Sequence, residues 1–180
     1  ILKDRLYTTI ADSKERRAAQ TTMYEILVDL VTMISPVLTF TSEEVWKYTP
    51  KEEGMPKSVQ LLKWVKAKPE YLDKDLEDKW SKIFNMRSEI TKVLEDARRK
   101  KIIGHSLDAS VSLYSEGAEF EILSGVEKDL ANILIVSDVK LYDGLDKASE
   151  VVFKAEDMAL KVAVTPALGG KCERCWTYSE

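Results

Sequence analysis

LDKDLEDKWSKIFNMRSEITKVLEDARRKKIIGHSLDASVSLYS, residues 72–115, changes its hydrophobic period once, and that change decides the fold. Leu72, Leu76, Trp80, Ile83, Arg87, Ile90, Leu94 and Ala97 recur at intervals of four and three, the rhythm of a long helix with one buried stripe. Gly104 ends it. Beyond Gly104, Ala109, Val111 and Leu113 alternate with serines, and a period of two predicts a half-buried strand from Ala109 to Ser115. Arg87 interrupts the apolar row. A guanidinium there snorkels to the edge, pairs with a carboxylate or contacts a phosphate.

Upstream, Asp12 or Ser13 can cap a helix whose stripe is Ala19, Met23, Ile26, Leu30 and Ile34. Ser35-Pro36 interrupts it, because proline restricts the residue before it and lacks an N–H. A short helical turn over Val37 to Phe40 follows. Thr41 or Ser42, with Glu43 and Glu44 in the next turn, predicts a further helix carrying Val45 and Trp46. Lys51 to Pro69, with Gly54 and Pro56, reads as an irregular surface connection with an extended piece at Val59 to Trp64. Downstream, Glu119 to Ile135 reads as helical with a break near Gly125, and Ser137 to Tyr142, Glu150 to Lys154 and Ala159 to Thr165 read as strands. The predicted class is mainly α: a helical bundle over 1–104, a small α+β domain over 105–168, and the first half of a zinc knuckle over 169–180.

The 180 residues are 44% hydrophobic and 32% charged, enough for a real core and too structured a mixture for wholesale disorder. Apolar runs are too short for a membrane span. The sequence begins at Ile1 without a methionine or a signal-peptide pattern, and so reads as a piece of a longer protein. The net charge of -4 is unevenly placed: residues 1–104 carry +3, residues 105–170 carry -7, and the last ten balance. A polyanion is therefore expected at the first part and not at the second. Lys14, Arg16 and Arg17 cluster at one helix start, and Arg98, Arg99, Lys100 and Lys101 at another helix end, where they also complement the dipole.

No catalytic set can be assembled. The one histidine, His105, follows the helix stop and reads as a capping or exposed residue, and neither a Walker pattern nor a GxGxxG run occurs. The only cysteines, Cys172 and Cys175, sit in Gly169-Gly170-Lys171-Cys172-Glu173-Arg174-Cys175-Trp176. Two thiols at this spacing are half of a tetrahedral zinc set, so the stretch is expected to lack both metal and order by itself. The rival reading, a redox pair, calls for a helix N-terminus in a βαβ setting.

Lys3-Asp4-Arg5-Leu6-Tyr7-Thr8, Arg16-Arg17-Ala18-Ala19-Gln20-Thr21 after Ser13, and Ile34-Ser35-Pro36-Val37-Leu38-Thr39-Phe40-Thr41-Ser42-Glu43-Glu44-Val45-Trp46 resemble the anticodon-binding helical domain of class I aminoacyl-tRNA synthetases. Glu95-Asp96-Ala97-Arg98, then Lys101-Ile102-Ile103-Gly104-His105-Ser106-Leu107-Asp108-Ala109, and the ending Lys171-Cys172-Glu173-Arg174-Cys175-Trp176 are similar to the bacterial isoleucyl-tRNA synthetases in particular. The valyl and leucyl families share the earlier helices more than this ending. The resemblance implies a cytoplasmic, monomeric ligase that joins isoleucine to its tRNA with ATP and Mg, and that carries zinc in a complete knuckle. The HIGH and KMSKS motifs of the catalytic fold are absent from these residues, so the chain itself is expected to be inactive.

The part that remains is the tRNA reader. Cations position a phosphate backbone, whereas splayed single-stranded bases are read by stacking and edge contacts. Lys14, Arg16, Arg17, Arg98, Arg99, Lys100 and Lys101 are the phosphate candidates; the resemblance adds Trp176 and Tyr178 as stacking candidates. Trp46, Trp64 and Trp80 are read as core or loop-packing residues. A non-catalytic helical protein-interaction module is the competing reading.

Overall fold

A computed structural model describes residues 2–147, 153–154 and 158–179. Contacts divide the chain into two compact units, residues 2–72 and residues 73–180. The boundary at Leu72 differs from the sequence reading, which closed the helical part at Gly104. The reason is the long helix's stripe, which packs on the strands that follow it.

In the first unit, α1 (Leu2–Tyr7) leads to α2 (Lys14–Ile34), capped by Ser13, and α3 (Thr39–Tyr48) comes after the Pro36 turn. α3 starts before the expected caps: Thr41 and Ser42 lie inside it, and Leu38 at its start makes no side-chain cap. The core is small, with Val31, Trp46 and Val59 buried and Val28, Met55 and Leu62 packed against them. Much of the α2 stripe read from the sequence is not the one buried here. Met23, Ile26 and Leu30 are exposed, 60% for Ile26, while Val31, Thr32 and Ser35 face inward. α2 is apolar on two sides, and periodicity cannot say which one α3 and the connection will cover.

That connection folds back. Val59–Leu61 forms a 3-10 turn in place of an extended piece, and Val59 inserts into the core. The Trp46 indole donates from Nε1 to the Pro56 carbonyl at 3.1 Å, and Lys51 lies 5.0 Å over its ring. Lys68 anchors the far end of the connection to Glu25 and Asp29 of α2. Trp64, in contrast, is exposed.

In the second unit, α4 (Lys74–Arg99) opens on the Asp73 cap, whose carboxylate accepts the Leu76 N–H at 2.9 Å. β1 (Ala109–Ser115) follows, then α5 (Gly117–Ser124), α6 (Leu130–Leu134), β2 (Asp138–Asp143), β3 (Phe153–Lys154) and β4 (Leu160–Pro166). Residues 150–152 of the expected third strand lie outside the described residues. The sheet order is β2-β1-β4-β3, with β1 and β2 parallel and the other pairs antiparallel. Two parallel strands need a crossover, and α5 and α6 supply it. Val111 and Leu113 of β1 pair with Val164 and Val162 of β4, and this apolar face buries Ile83, Met86, Ile90, Leu94 and Ala97 of α4. Arg87 is half-buried and takes a partner that the sequence reading did not name. Its Nε donates 2.8 Å to the Ile133 carbonyl, satisfying one of the free carbonyls at the end of α6.

Candidate functional site

The helix-stop geometry determines where the second basic cluster points. α4 carries acids, Asp75 and Glu77, in its first turn and Arg98 and Arg99 in its last, both complementing the helix dipole. Lys100 donates its backbone N–H to Asp96, Lys101 takes a left-handed φ of 60°, and Ile102 donates to the Ala97 carbonyl. The turn is thus made at Lys101, three residues before the glycine the sequence suggested. Arg98 pairs with Glu95 at 3.5 Å and Arg99 with Asp96 at 3.3 Å, the Arg99 side chain remaining 80% exposed. Such surface pairs are worth about 0–1 kcal/mol, so a phosphate can displace them cheaply.

The first cluster lies in the other unit, at the start of α2. Lys14 and Arg17 are exposed, but Arg16 is half-buried. Its backbone N–H goes to the Ser13 hydroxyl at 3.3 Å and its Nη1 donates 3.4 Å to the Thr9 carbonyl. Arg16 therefore ties the turn after α1 to the start of α2.

The cysteine segment is ordered, against expectation. Gly169, at φ 94°, turns the chain into a hairpin of β5 (Gly170–Lys171) and β6 (Tyr178–Ser179), with Lys171 opposite Tyr178. Cys172 donates its backbone N–H to Thr177 at 2.9 Å, and Trp176 donates back to the Cys172 carbonyl at 2.8 Å. Trp176 itself is left-handed at φ 65° and its side chain is 58% exposed. Tyr178 is half-buried, with Lys171 Nζ 5.4 Å over its ring.

The backbone N–H groups of Cys175 and Arg174 point at the Cys172 sulfur and hold its thiol below the usual cysteine range. A nest of this kind suits a metal-bound thiolate. Two thiols nevertheless make half a tetrahedral set, and among the described residues no group of three His, Cys, Asp or Glu side chains comes together. The donors present do not complete a zinc site, and the hairpin is closed by its own hydrogen bonds. Nor does the redox setting of a helix N-terminus occur, since both thiols lie in a hairpin loop.

Sequence reading missed the residues on which the hairpin rests. Asp108 Oδ2 accepts the His105 N–H at 2.7 Å while His105 Nδ1 accepts the Leu107 N–H at 3.3 Å, a reciprocal cap. The spacing His105-x-x-Asp108 resembles a capping box and was the available signal. Asp108 Oδ1 then faces Lys171 Nζ at 3.4 Å. Burial alone raises the Asp108 carboxyl, but the His105 N–H and Lys171 outweigh it and hold it below the usual range. A lowered carboxyl contributes its full stability above the unfolded value of about 3.9 and loses it as pH falls through the lower folded value. Acidification through the lowered folded value is thus expected to release Lys171, read as a pH-dependent shift of the Lys171 side-chain NMR signals that Asp108→Asn abolishes. Lys171 signals that do not move on acidification would contradict this.

Topology gathers part of the predicted set. Six residues separate Lys101 from Asp108, and Arg98, Arg99, Lys100 and Lys101 belong to the same 73–180 unit as Cys172, Cys175, Trp176 and Tyr178. Lys14, Arg16 and Arg17 belong to the 2–72 unit. No helix among the described residues is long and apolar enough to cross a membrane.

Residues 1–113 match the family model described as the anticodon-binding domain of tRNA ligase. The whole chain is 50% identical to an isoleucine–tRNA ligase of Caldanaerobacter subterraneus, covering 19% of that protein. It is 48% identical to one from Desulforamulus reducens, again covering all of this chain and 19% of the relative. A Moorella thermoacetica isoleucine–tRNA ligase matches at 45% identity, with 20% of its length covered. The chain thus spans about a fifth of the length of the curated relatives it matches.

Proposed function

We infer, because this chain belongs to the anticodon-binding domain family of tRNA ligases, that it is the anticodon-arm recognition part of an isoleucine–tRNA ligase, and that the whole protein joins isoleucine to its tRNA using ATP and Mg in the cytoplasm. The observation that carries the reading is that the 73–180 unit presents both contact types on its surface: loosely paired cations at Arg98 and Arg99, and an exposed aromatic at Trp176. This combination suits an RNA loop: guanidinium groups grip phosphates, and an aromatic face takes an unstacked base. Lys14 and Arg17, also exposed, are proposed as further phosphate contacts. Zinc is proposed only for a whole protein that brings two more ligands to Cys172 and Cys175, and the protein is proposed to act as a monomer.

Counterion release makes the cations testable. The full chain is expected to bind isoleucine tRNA with an affinity that falls linearly in log salt, with a slope of about -0.7 to -0.9 per phosphate contacted. Replacing Arg98 and Arg99 with glutamine should flatten that slope by about 1.4 to 1.8 if both touch phosphate. Titrations at four salt concentrations measure it. An unchanged slope removes these two residues from the interface, and no binding at the lowest salt removes the reading.

A further inference from the structure

The hairpin that carries Trp176 is clamped to the sheet at its base by Ser137 and Asp108. Ser137, at the start of β2, stands at the junction. Its N–H donates to the Ala109 carbonyl at 3.1 Å, its hydroxyl donates to the Leu107 carbonyl at 2.5 Å, and the same Oγ accepts the Tyr178 N–H at 2.8 Å. Asp108 holds the opposite member of the same β5–β6 pair through Lys171 Nζ at 3.4 Å, and its backbone carbonyl accepts the Ala167 N–H at 2.8 Å, fixing the approach to the hairpin. Lys171 and Tyr178 are cross-strand partners, so both strands are pinned at one level, with residues 172–177 projecting beyond it. Trp176 sits in that projecting loop, its backbone fixed by the bond to Cys172.

The geometry points to Ser137 and Asp108 as positioning residues that aim the Trp176 loop at an RNA base without touching the RNA themselves. This assignment rests on the tRNA-reading role proposed above. A hydrogen-bonded clamp restricts the loop to one orientation before binding, which lowers the ordering cost when a base is captured. Both residues lie in the segments that read as strand and turn in the sequence, which is why their second role was not visible there.

A double-mutant cycle on the full chain separates positioning from contact. The probe is an anticodon stem-loop of isoleucine tRNA, with thermal unfolding followed in parallel. Ser137→Ala is expected to weaken binding about five-fold and Ser137→Thr, which keeps the hydroxyl, to restore it. Asp108→Asn, which keeps the acceptor for His105 but drops the charge facing Lys171, is expected to weaken binding about two- to three-fold. Both losses should vanish when Trp176 is already alanine, because a loop without its aromatic has nothing to aim. If the losses multiply with that of Trp176→Ala, the two residues act independently of the loop and the assignment is overturned. If Trp176→Ala alone leaves affinity unchanged, the reading of this loop as an RNA contact fails first, and the positioning role falls with it.

Discussion

Trp46→Ala is expected to unfold the 2–72 unit. A buried tryptophan cut to alanine costs about 3–5 kcal/mol, and a core in so short a segment rarely supplies more than about 3–5 kcal/mol in total. Trp46 is fully buried, its neighbours Val31 and Val59 complete the fully buried apolar set of that unit, and its indole also holds the connection through Pro56. The 73–180 unit draws on a separate core built around Ile83, Ile90, Leu113 and Val162. Helix content by circular dichroism should therefore fall at 25 °C by the share of α1, α2 and α3, with one unfolding transition retained. A variant that melts like the parent would mean that Trp46 is not the keystone of its unit.

Trp176→Ala is expected to weaken tRNA binding about 5- to 150-fold, the range of one lost base stack at about 1–3 kcal/mol. The salt slope should stay unchanged, because an indole neutralises no phosphate. This contrast with the Arg98 and Arg99 pair distinguishes the two contact classes within one titration series. Stability should not suffer: the ring is mostly exposed, and its left-handed backbone costs a non-glycine residue about 1–2 kcal/mol that Trp176→Gly would relieve. A glycine variant that folds at least as well and binds as weakly as the alanine variant is the expected result. Unchanged affinity in both would transfer base recognition away from this loop.

The period change after Gly104 placed α4 and β1 correctly, because both elements show one buried face and obey a single rhythm. α2 illustrates the opposite case. It carries apolar residues on two sides, and only the arrival of Trp46 and Val59 selects Val31 over Ile26. The cations and aromatics of the candidate site can be named from sequence because they are defined by residue type. The site was illegible in Ser137 and Asp108, because a serine before a strand and an aspartate after a turn look ordinary until the chain closes around them. Arg87 shows the same limit: a carbonyl on a helix 46 residues away is a partner that no local pattern announces.

The parallel pairing of β1 with β2 sets an order of assembly. Leu107, Asp108 and Ser137 come together only after the α5–α6 crossover has closed, and long-range closure of this kind is slow because its entropy is spent before any contact repays it. The seat of the cysteine hairpin therefore depends on long-range closures, this crossover among them. A perturbation that delays the crossover, even one remote from the hairpin, is expected to delay the seating of the hairpin as well.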